Sequence, residues 1–271
     1  MRKRLIAGTA AGFALALTGA VPAAADSHEA QLSVLHGIPD LVVDVYVNGD
    51  LTLDDFEPGD LAGPLALPAG TYSVAITAAD AADDSSPVLG PIDLPLEAGM
   101  NYTAAAHLQA DGTPTAALFT NDISNTAAGE GRLTVRHAAA APEVDILAGG
   151  SPVLTAVANG EEGILNLPAG TVSAAVAATG TTDPVIGPAD VNVQEGVNTI
   201  VYAWGSLEDG NLALAIQTIE GLHSAPSGVP GGELGLAAQQ SSTPWVVGAA
   251  LLAAAGVAFA VRRQTVSVKN D

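Results

Sequence analysis

Apolar residues in the middle of the chain recur in short runs with a period of two. In the run 71–77, Tyr72, Val74 and Ile76 point one way, whereas Thr71, Ser73 and Thr77 point the other way. This alternation is typical of a β-strand with one buried face and one solvated face. Turn signals about every 8–12 residues separate such runs, which predicts roughly seven or eight strands in each of two stretches. No segment between residues 30 and 220 has a helical period, so the pattern predicts an all-β fold.

The clearest hairpin signal is Asn48-Gly49, which lies between the apolar run 41–47 and the run 50–53. An Asn-Gly pair suits a two-residue turn because both of its positions need positive φ. Gly149-Gly150 stands at the corresponding point of the second stretch. The same reasoning predicts further strands in the first stretch, at residues 88–94, 101–108 and 115–119.

The strand pattern occurs twice along the chain. Five short motifs recur in the same order, at an offset that drifts from 101 to 97 residues, as in Leu65–Thr71 (LALPAGT) and Leu165–Thr171 (LNLPAGT). A period near one hundred residues is too long for a solenoid unit and has the size of a small sandwich domain. We therefore predict two tandem antiparallel β-sandwich domains, immunoglobulin-like or transthyretin-like, over residues 30–125 and 131–220.

Longer apolar segments border basic clusters at the two ends of the chain. Residues 1–25 combine a cationic start, an apolar stretch and a small-residue exit, which is the layout of a secretory signal peptide. Ala23 and Ala25 form the Ala-x-Ala pattern that predicts cleavage before Asp26. An uncleaved anchor helix is the alternative interpretation.

The second apolar segment predicts a transmembrane helix over residues 244–261. Its uninterrupted core from Trp245 to Val261 spans roughly 25 Å as a helix, at the short end of the spanning range. Trp245 suits one membrane interface, whereas Arg262 and Arg263 mark the cytoplasmic side. Residues 221–243 then form a flexible Gly/Pro/Ser stalk and residues 262–271 a cytoplasmic tail. A buried Ala-rich helix is the alternative, and no Leu-Pro-x-Thr-Gly-like sorting motif precedes the segment.

Charge is strongly segregated between the middle and the ends. Of the 29 acidic residues, 28 lie between residues 25 and 245, where Arg132 and Arg136 are the only Lys or Arg residues. This part has a net charge near −26, from two bases against twenty-eight acids, and is expected to repel nucleic acid. The basic ends predict a single-pass cell-membrane protein whose acidic middle is extracellular. With no cysteine, disulfides, thiol catalysis and cysteine metal sites are excluded.

Three motifs of the first stretch carry a family resemblance. Val34–Asp40 (VLHGIPD), Val43–Gly49 (VDVYVNG) and Leu67–Tyr72 (LPAGTY) resemble a bacterial extracellular family, the domain-of-unknown-function family 4397. The resemblance covers residues 31–120 and 132–219 and is closer in the first stretch. It implies exported β-sandwich modules, often in tandem, and it implies no reaction.

A histidine and an aspartate recur at the same spacing in both stretches, as His36 and Asp44 and as His137 and Asp145. An imidazole and a carboxylate can share a proton or bind a metal ion. In the structural alternative, the aspartate fixes a turn or hydrogen-bonds the histidine of a neighbouring strand. Together with Tyr46, His36 and Asp44 are the candidate ligand-binding residues. We predict no catalytic and no metal-ligating residues, because no serine, cysteine or third ligand lies at a spacing from these pairs that is typical of a catalytic or metal site.

Acidic pairs occur at Asp54-Asp55, Asp83-Asp84 and Glu161-Glu162. None has the alternating spacing of a calcium-binding loop, so we interpret them as solvated loop charge. No cofactor is expected beyond weak calcium binding to this acidic surface.

These features predict a membrane-anchored, non-enzymatic cell-surface protein that recognises an unknown glycan or protein ligand. One alternative is a structural surface-layer or spacer component without a specific ligand. A second alternative is a minor hydrolase-like activity that uses His36 and Asp44. Binding of nucleic acid is not expected.

Overall fold

The structure is a computed structural model that describes residues 28–223. Every regular secondary-structure element in these residues is a β-strand, so the predicted all-β fold is confirmed. The first eight strands are β1 (Glu29–Gly37), β2 (Val43–Val47), β3 (Asp50–Phe56), β4 (Leu61–Pro68), β5 (Gly70–Ala78), β6 (Leu89–Leu96), β7 (Asn101–Leu108) and β8 (Pro114–Thr120). The second eight are β9 (Glu130–Ala140), β10 (Val144–Ala148), β11 (Ser151–Val157), β12 (Glu162–Pro168), β13 (Gly170–Ala178), β14 (Pro184–Val193), β15 (Asn198–Ser206) and β16 (Ala213–Ile219).

The strands form four sheets of four, and each half of the described chain contributes two. Sheets β4-β1-β7-β8 and β3-β2-β5-β6 form the first sandwich, and β12-β9-β15-β16 and β11-β10-β13-β14 form the second. In the first sandwich, Val45 and Ile76 of one sheet pack with Ala106 and Leu108 of the other. The second half thus repeats the strand order of the first.

One detail of the predicted antiparallel sandwiches is wrong, because each contains a parallel pair. β1 runs parallel to β7 and β9 runs parallel to β15, whereas the other pairs are antiparallel. From β1 the chain crosses to the opposite sheet, returns as β4, crosses again and returns as β7. On this second return, β7 lies beside β1 and runs in the same direction. Period-two alternation identifies a strand but carries no information about the direction of its neighbour.

The predicted hairpin turns are confirmed. Asn48 and Gly49 have φ values of 52° and 85°, and Gly149 and Gly150 have φ values of 57° and 81°. The predicted faces of β5 hold for Tyr72, Val74 and Ile76, which pack in the core. Thr77 lies on the opposite face but is fully buried, so its predicted exposure is wrong.

The two sandwiches pack against each other through sheets β4-β1-β7-β8 and β12-β9-β15-β16, and we call this contact the interface. Leu35 and Ala105 of the first sandwich and Ile200 and Tyr202 of the second are all fully buried in one cluster there. Trp204 of β15 also reaches the first sandwich, where a Cβ on Gly59 would lie 2.8 Å from its ring. The central strands β1, β7, β9 and β15 are therefore largely buried on both faces, whereas the edge strands β4, β12 and β16 stay partly exposed.

The only two basic residues of residues 28–223 are both buried on β9. The Arg136 guanidinium bonds to Glu162 Oε2, the Tyr202 hydroxyl and Asn121 Oδ1 at 2.7, 2.6 and 2.7 Å, and it lies 4.2 Å from the Phe119 ring centroid. Asn121 and Phe119 come from the first sandwich and its exit. Arg136 therefore fastens the two sandwiches to each other.

Arg132 holds the segment that links β8 to β9. Its guanidinium donates to the Asp122 and Ser124 carbonyl oxygens at 2.9 and 3.0 Å, and it lies 3.2 Å from the Asp122 carboxylate. The short link is thus fixed by the same strand that carries Arg136.

Several predictions lie outside the described residues. These are the signal peptide with Ala23, Ala25 and Asp26, the stalk beyond residue 223, the helix between Trp245 and Val261, and the tail with Arg262 and Arg263. Within residues 28–223, no helix has the length and apolar character needed to cross a membrane.

Candidate functional site

His36, a predicted binding residue, is buried at the end of β1. Its Nε2 donates to the Leu41 carbonyl oxygen at 2.7 Å, and its ring stacks on Phe56 with 5.9 Å between centroids. Burial lowers the pKa of His36, which favours the neutral imidazole. The histidine therefore closes the loop between β1 and β2, and its side chain does not face solvent.

His137 does the same in the second sandwich. Its Nε2 donates to the Pro142 carbonyl oxygen at 2.9 Å, across the loop between β9 and β10, and burial lowers its pKa. Neither histidine is hydrogen-bonded to Asp44 or Asp145 in the described residues. The recurrent histidine and aspartate thus act at separate points of the fold.

Asp44 and Asp145 each support a β-bulge. Val43 pairs with Phe56 and Val45 with Leu53, which leaves Asp54 and Asp55 opposite the single residue Asp44. Asp55 has a φ of 52°, and its backbone N–H donates to Asp44 Oδ1 at 2.9 Å. The carboxylate therefore stabilises the positive-φ residue of the bulge.

The second sandwich has the same bulge with different residues. Ala156 has a φ of 56° and donates its N–H to Asp145 Oδ1 at 2.9 Å, while Gly180 N–H donates to Asp145 Oδ2 at 2.9 Å. These backbone hydrogen bonds lower the pKa of Asp145 because they stabilise the charged form. The aspartate at this position is thus part of the fold in both sandwiches.

The bulge of the first sandwich brings together three carboxylates, which we call the acidic cluster: Asp44, Asp54 and Asp55. One oxygen from each lies within 4.8 Å of the others, and Asp44 is buried while the other two are exposed. Asp54 and Asp55 were predicted to be solvated loop charge, whereas they lie on β3 opposite Asp44. The sequence pattern does not reveal the bulge, which shifts the register of β3 and so places both residues opposite Asp44.

Tyr46 follows Asp44 on the same face of β2 and is also buried. Burial raises its pKa, and the negative charges of Asp44, Asp84 and Asp83 raise it further. The Asp83-Asp84 pair therefore lies close enough to Tyr46 to act on it. By contrast, Glu162 of the pair Glu161-Glu162 is not solvated loop charge, since it bonds to Arg136 across the sheet.

A second feature of the first sandwich is an apolar cavity of about 210 Å³ between its two sheets. Aliphatic side chains from both sheets line it, among them Leu32, Val45, Ile76, Leu94, Ala104 and Ala116. The exposed residues Asp50, Thr52 and Leu65 also line it and belong to β3 and β4, which are the edge strands on one side. The cavity therefore opens between these two edges.

The corresponding space in the second sandwich is about 30 Å³. Ala104 pairs with Leu118 and Ala106 with Ala116, whereas Val201 pairs with Ile216 and Ala203 with Leu214. Val201 and Leu214 thus occupy the positions of Ala104 and Ala116 and fill the space.

The edge also closes in the second sandwich. Leu154 of β11 packs over Gly163 of β12, where any Cβ would clash with it. This difference between the sandwiches was not predicted from the sequence. The signal was the change in side-chain size at aligned positions of the repeat, which the strand alternation does not reveal.

Comparison with known proteins supports the family resemblance. Residues 30–147 match the family model described as a domain of unknown function, DUF4397. The match covers nearly all of the first sandwich and extends through β9 into β10. No curated protein matches the chain.

Proposed function

We propose that the chain is an exported, membrane-anchored, non-enzymatic binding protein whose first sandwich takes an apolar group of its ligand into the cavity. One observation carries this proposal: the two sandwiches share one framework, yet only the first keeps an open apolar cavity of about 210 Å³. Export and anchoring rest on the basic and apolar segments at the two ends of the sequence.

The cavity is large for the core of a small domain. Protein interiors are normally close-packed, so the apolar side chains that line this space lack packing contacts that most core residues have. A smaller engineered cavity of about 150 Å³ already binds benzene. An apolar ligand that fills the cavity would restore the missing contacts, and the mouth between β3 and β4 provides a route to it.

We further infer that residues 130–219 are a second copy of the family domain. Both halves have the same strand order, the same parallel pair and the same aspartate-supported bulge. The immunoglobulin-like or transthyretin-like type stays part of this proposal. In this scheme the second sandwich has lost the cavity and supports the first through the interface.

Fluorescence of N-phenyl-1-naphthylamine, an uncharged apolar probe, tests the cavity directly. The chain is expected to enhance the fluorescence saturably with one site. The variant A104V/A116L, which introduces the second-sandwich residues, fills the space and is expected to abolish the enhancement. Because it repairs a packing defect, this variant should also unfold at a higher temperature.

A reciprocal variant provides the control. V201A/L214A opens the corresponding space in the second sandwich and is expected to add a second probe site. Probe binding that A104V/A116L leaves unchanged would contradict the cavity as the binding site. If the chain binds no apolar probe, the alternative of a structural spacer without a specific ligand is favoured instead.

Membrane anchoring has its own test in cells. A chain that ends before Trp245 is expected in the medium, whereas the full chain stays in the membrane fraction. Equal retention of both would contradict an anchor at the C-terminal end.

A further inference from the structure

The acidic cluster has the spacing of a cation site. Its three carboxylate oxygens lie within 4.8 Å of one another. Calcium binds oxygen ligands at about 2.3–2.6 Å, so oxygens on opposite sides of one ion are about 5 Å apart. Asp54 and Asp55 reach this arrangement because they share one opposing residue, Asp44, at the bulge.

In the part of the chain that the structure describes, no Lys or Arg side chain pairs with these carboxylates. Arg132 and Arg136 are the only Lys or Arg residues in residues 28–223, and both are buried on β9, where they bond to other groups. The nearby Asp83 and Asp84 add further negative charge, as their effect on Tyr46 indicates. A cation would therefore relieve repulsion among like charges at short range.

Thr77 provides an independent observation. It is fully buried, and its Oγ1 has no hydrogen-bond partner among residues 28–223. Thr77 pairs directly with Asp44 across β2 and β5, so the two side chains project from the same face with Cβ atoms about 5 Å apart. A buried hydroxyl without a partner is costly, and its oxygen is a suitable ligand for a hard cation.

The second sandwich shows that the fold does not require this cluster. Its bulge has Thr155 and Ala156 in place of Asp54 and Asp55, and Ala177 stands in place of Thr77. There Asp145 uses its second oxygen to accept a hydrogen bond from Gly180 N–H. The same backbone therefore forms without the extra carboxylates or the hydroxyl.

We infer that Asp44, Asp54 and Asp55 bind one hard divalent cation, with Thr77 as a further oxygen ligand and calcium as the preferred ion. Calcium suits a site on a partly exposed bulge because it accepts irregular oxygen geometry and completes its shell with water, whereas Mg²⁺ demands a near-ideal octahedron. This inference is independent of the cavity, which lies on the other face of β2 and β5.

Isothermal titration of the full chain with CaCl₂, at constant ionic strength, tests the site. One site is expected, and D54T/D55A is expected to weaken calcium binding by at least about 100-fold, because ligand charge sets the affinity. D54T/D55A carries the residues of the second-sandwich bulge, so it should fold. E208Q/D209N removes two exposed charges from the second sandwich and should leave binding unchanged.

Two further measurements separate ligation from a general charge effect. T77V is expected to weaken calcium binding several-fold while T77S restores it. In EDTA, D54T/D55A should melt at a higher temperature than the unchanged chain, whereas in calcium the order should reverse. Absence of binding at millimolar calcium, or equal binding by D54T/D55A and E208Q/D209N, would overturn the inference. Stronger binding of MgCl₂ would overturn the choice of ion.

Discussion

At the scale of single residues, the two arginines of residues 28–223 are both buried. Arg136 is only 1% exposed and has three hydrogen-bonded partners, one of them the Glu162 carboxylate. Burying a guanidinium is costly unless its donors are paired, and here the ring of Phe119 also covers it. The sequence identified Arg136 as exceptional by charge, but it gave no indication that the residue is buried.

Replacement of Arg136 by alanine should destabilise the chain by about 3–5 kcal/mol, because Glu162, Tyr202 and Asn121 would each lose a buried partner. Urea unfolding followed by circular dichroism measures this loss. R136K keeps the charge but loses the planar set of donors, so its free energy of unfolding should lie between those of the unchanged chain and R136A. A change below about 1 kcal/mol for R136A would contradict the account of this residue.

At the scale of strands, alternation predicted those that have one buried face and failed where the pattern breaks. β4 was not predicted because its sequence, LAGPLALP, contains Gly63, Pro64 and Pro68, which argue against a strand. The structure tolerates these residues because β4 is an edge strand. The bulges were also missed, since an extra residue shifts the alternation. Both features bear on the proposed sites, because β4 borders the cavity mouth and the β2–β3 bulge assembles the acidic cluster.

The bulge of the second sandwich leads to a prediction at this scale. Ala156 has a φ of 56°, a region that costs an ordinary residue about 1–2 kcal/mol and glycine little. A156G should therefore stabilise the chain by about 0.5–1 kcal/mol, after the larger entropy loss of glycine is subtracted. Chemical denaturation measures the gain. The control A174G, in the interior of β13, should lower stability by about the same amount, and a loss for A156G would show that the bulge is unstrained.

At the scale of the whole molecule, the sequence predicted the repeat and the sandwiches but not their contact. The interface is built from residues on the strand faces that alternation assigns to solvent, such as Ser33 and Thr103 on β1 and β7. Gln217 of β16 joins them, accepting a hydrogen bond from Thr103 Oγ1 at 3.0 Å and donating one to Ser33 Oγ at 3.1 Å. Polar residues at a buried contact look like surface residues in a sequence, because their partners lie on a distant segment.

Because Leu35, Ile200 and Tyr202 are fully buried between the sandwiches, the two should unfold together. Calorimetry of the unchanged chain should give one transition whose van't Hoff enthalpy equals the calorimetric enthalpy. L35D places a charge in the interface but not in either sandwich core, so it should split the transition into two. L51D, at a position that is 49% exposed, should leave a single transition. Two transitions in the unchanged chain would mean that the interface contributes little, and the second sandwich could then not act as a rigid support for the first.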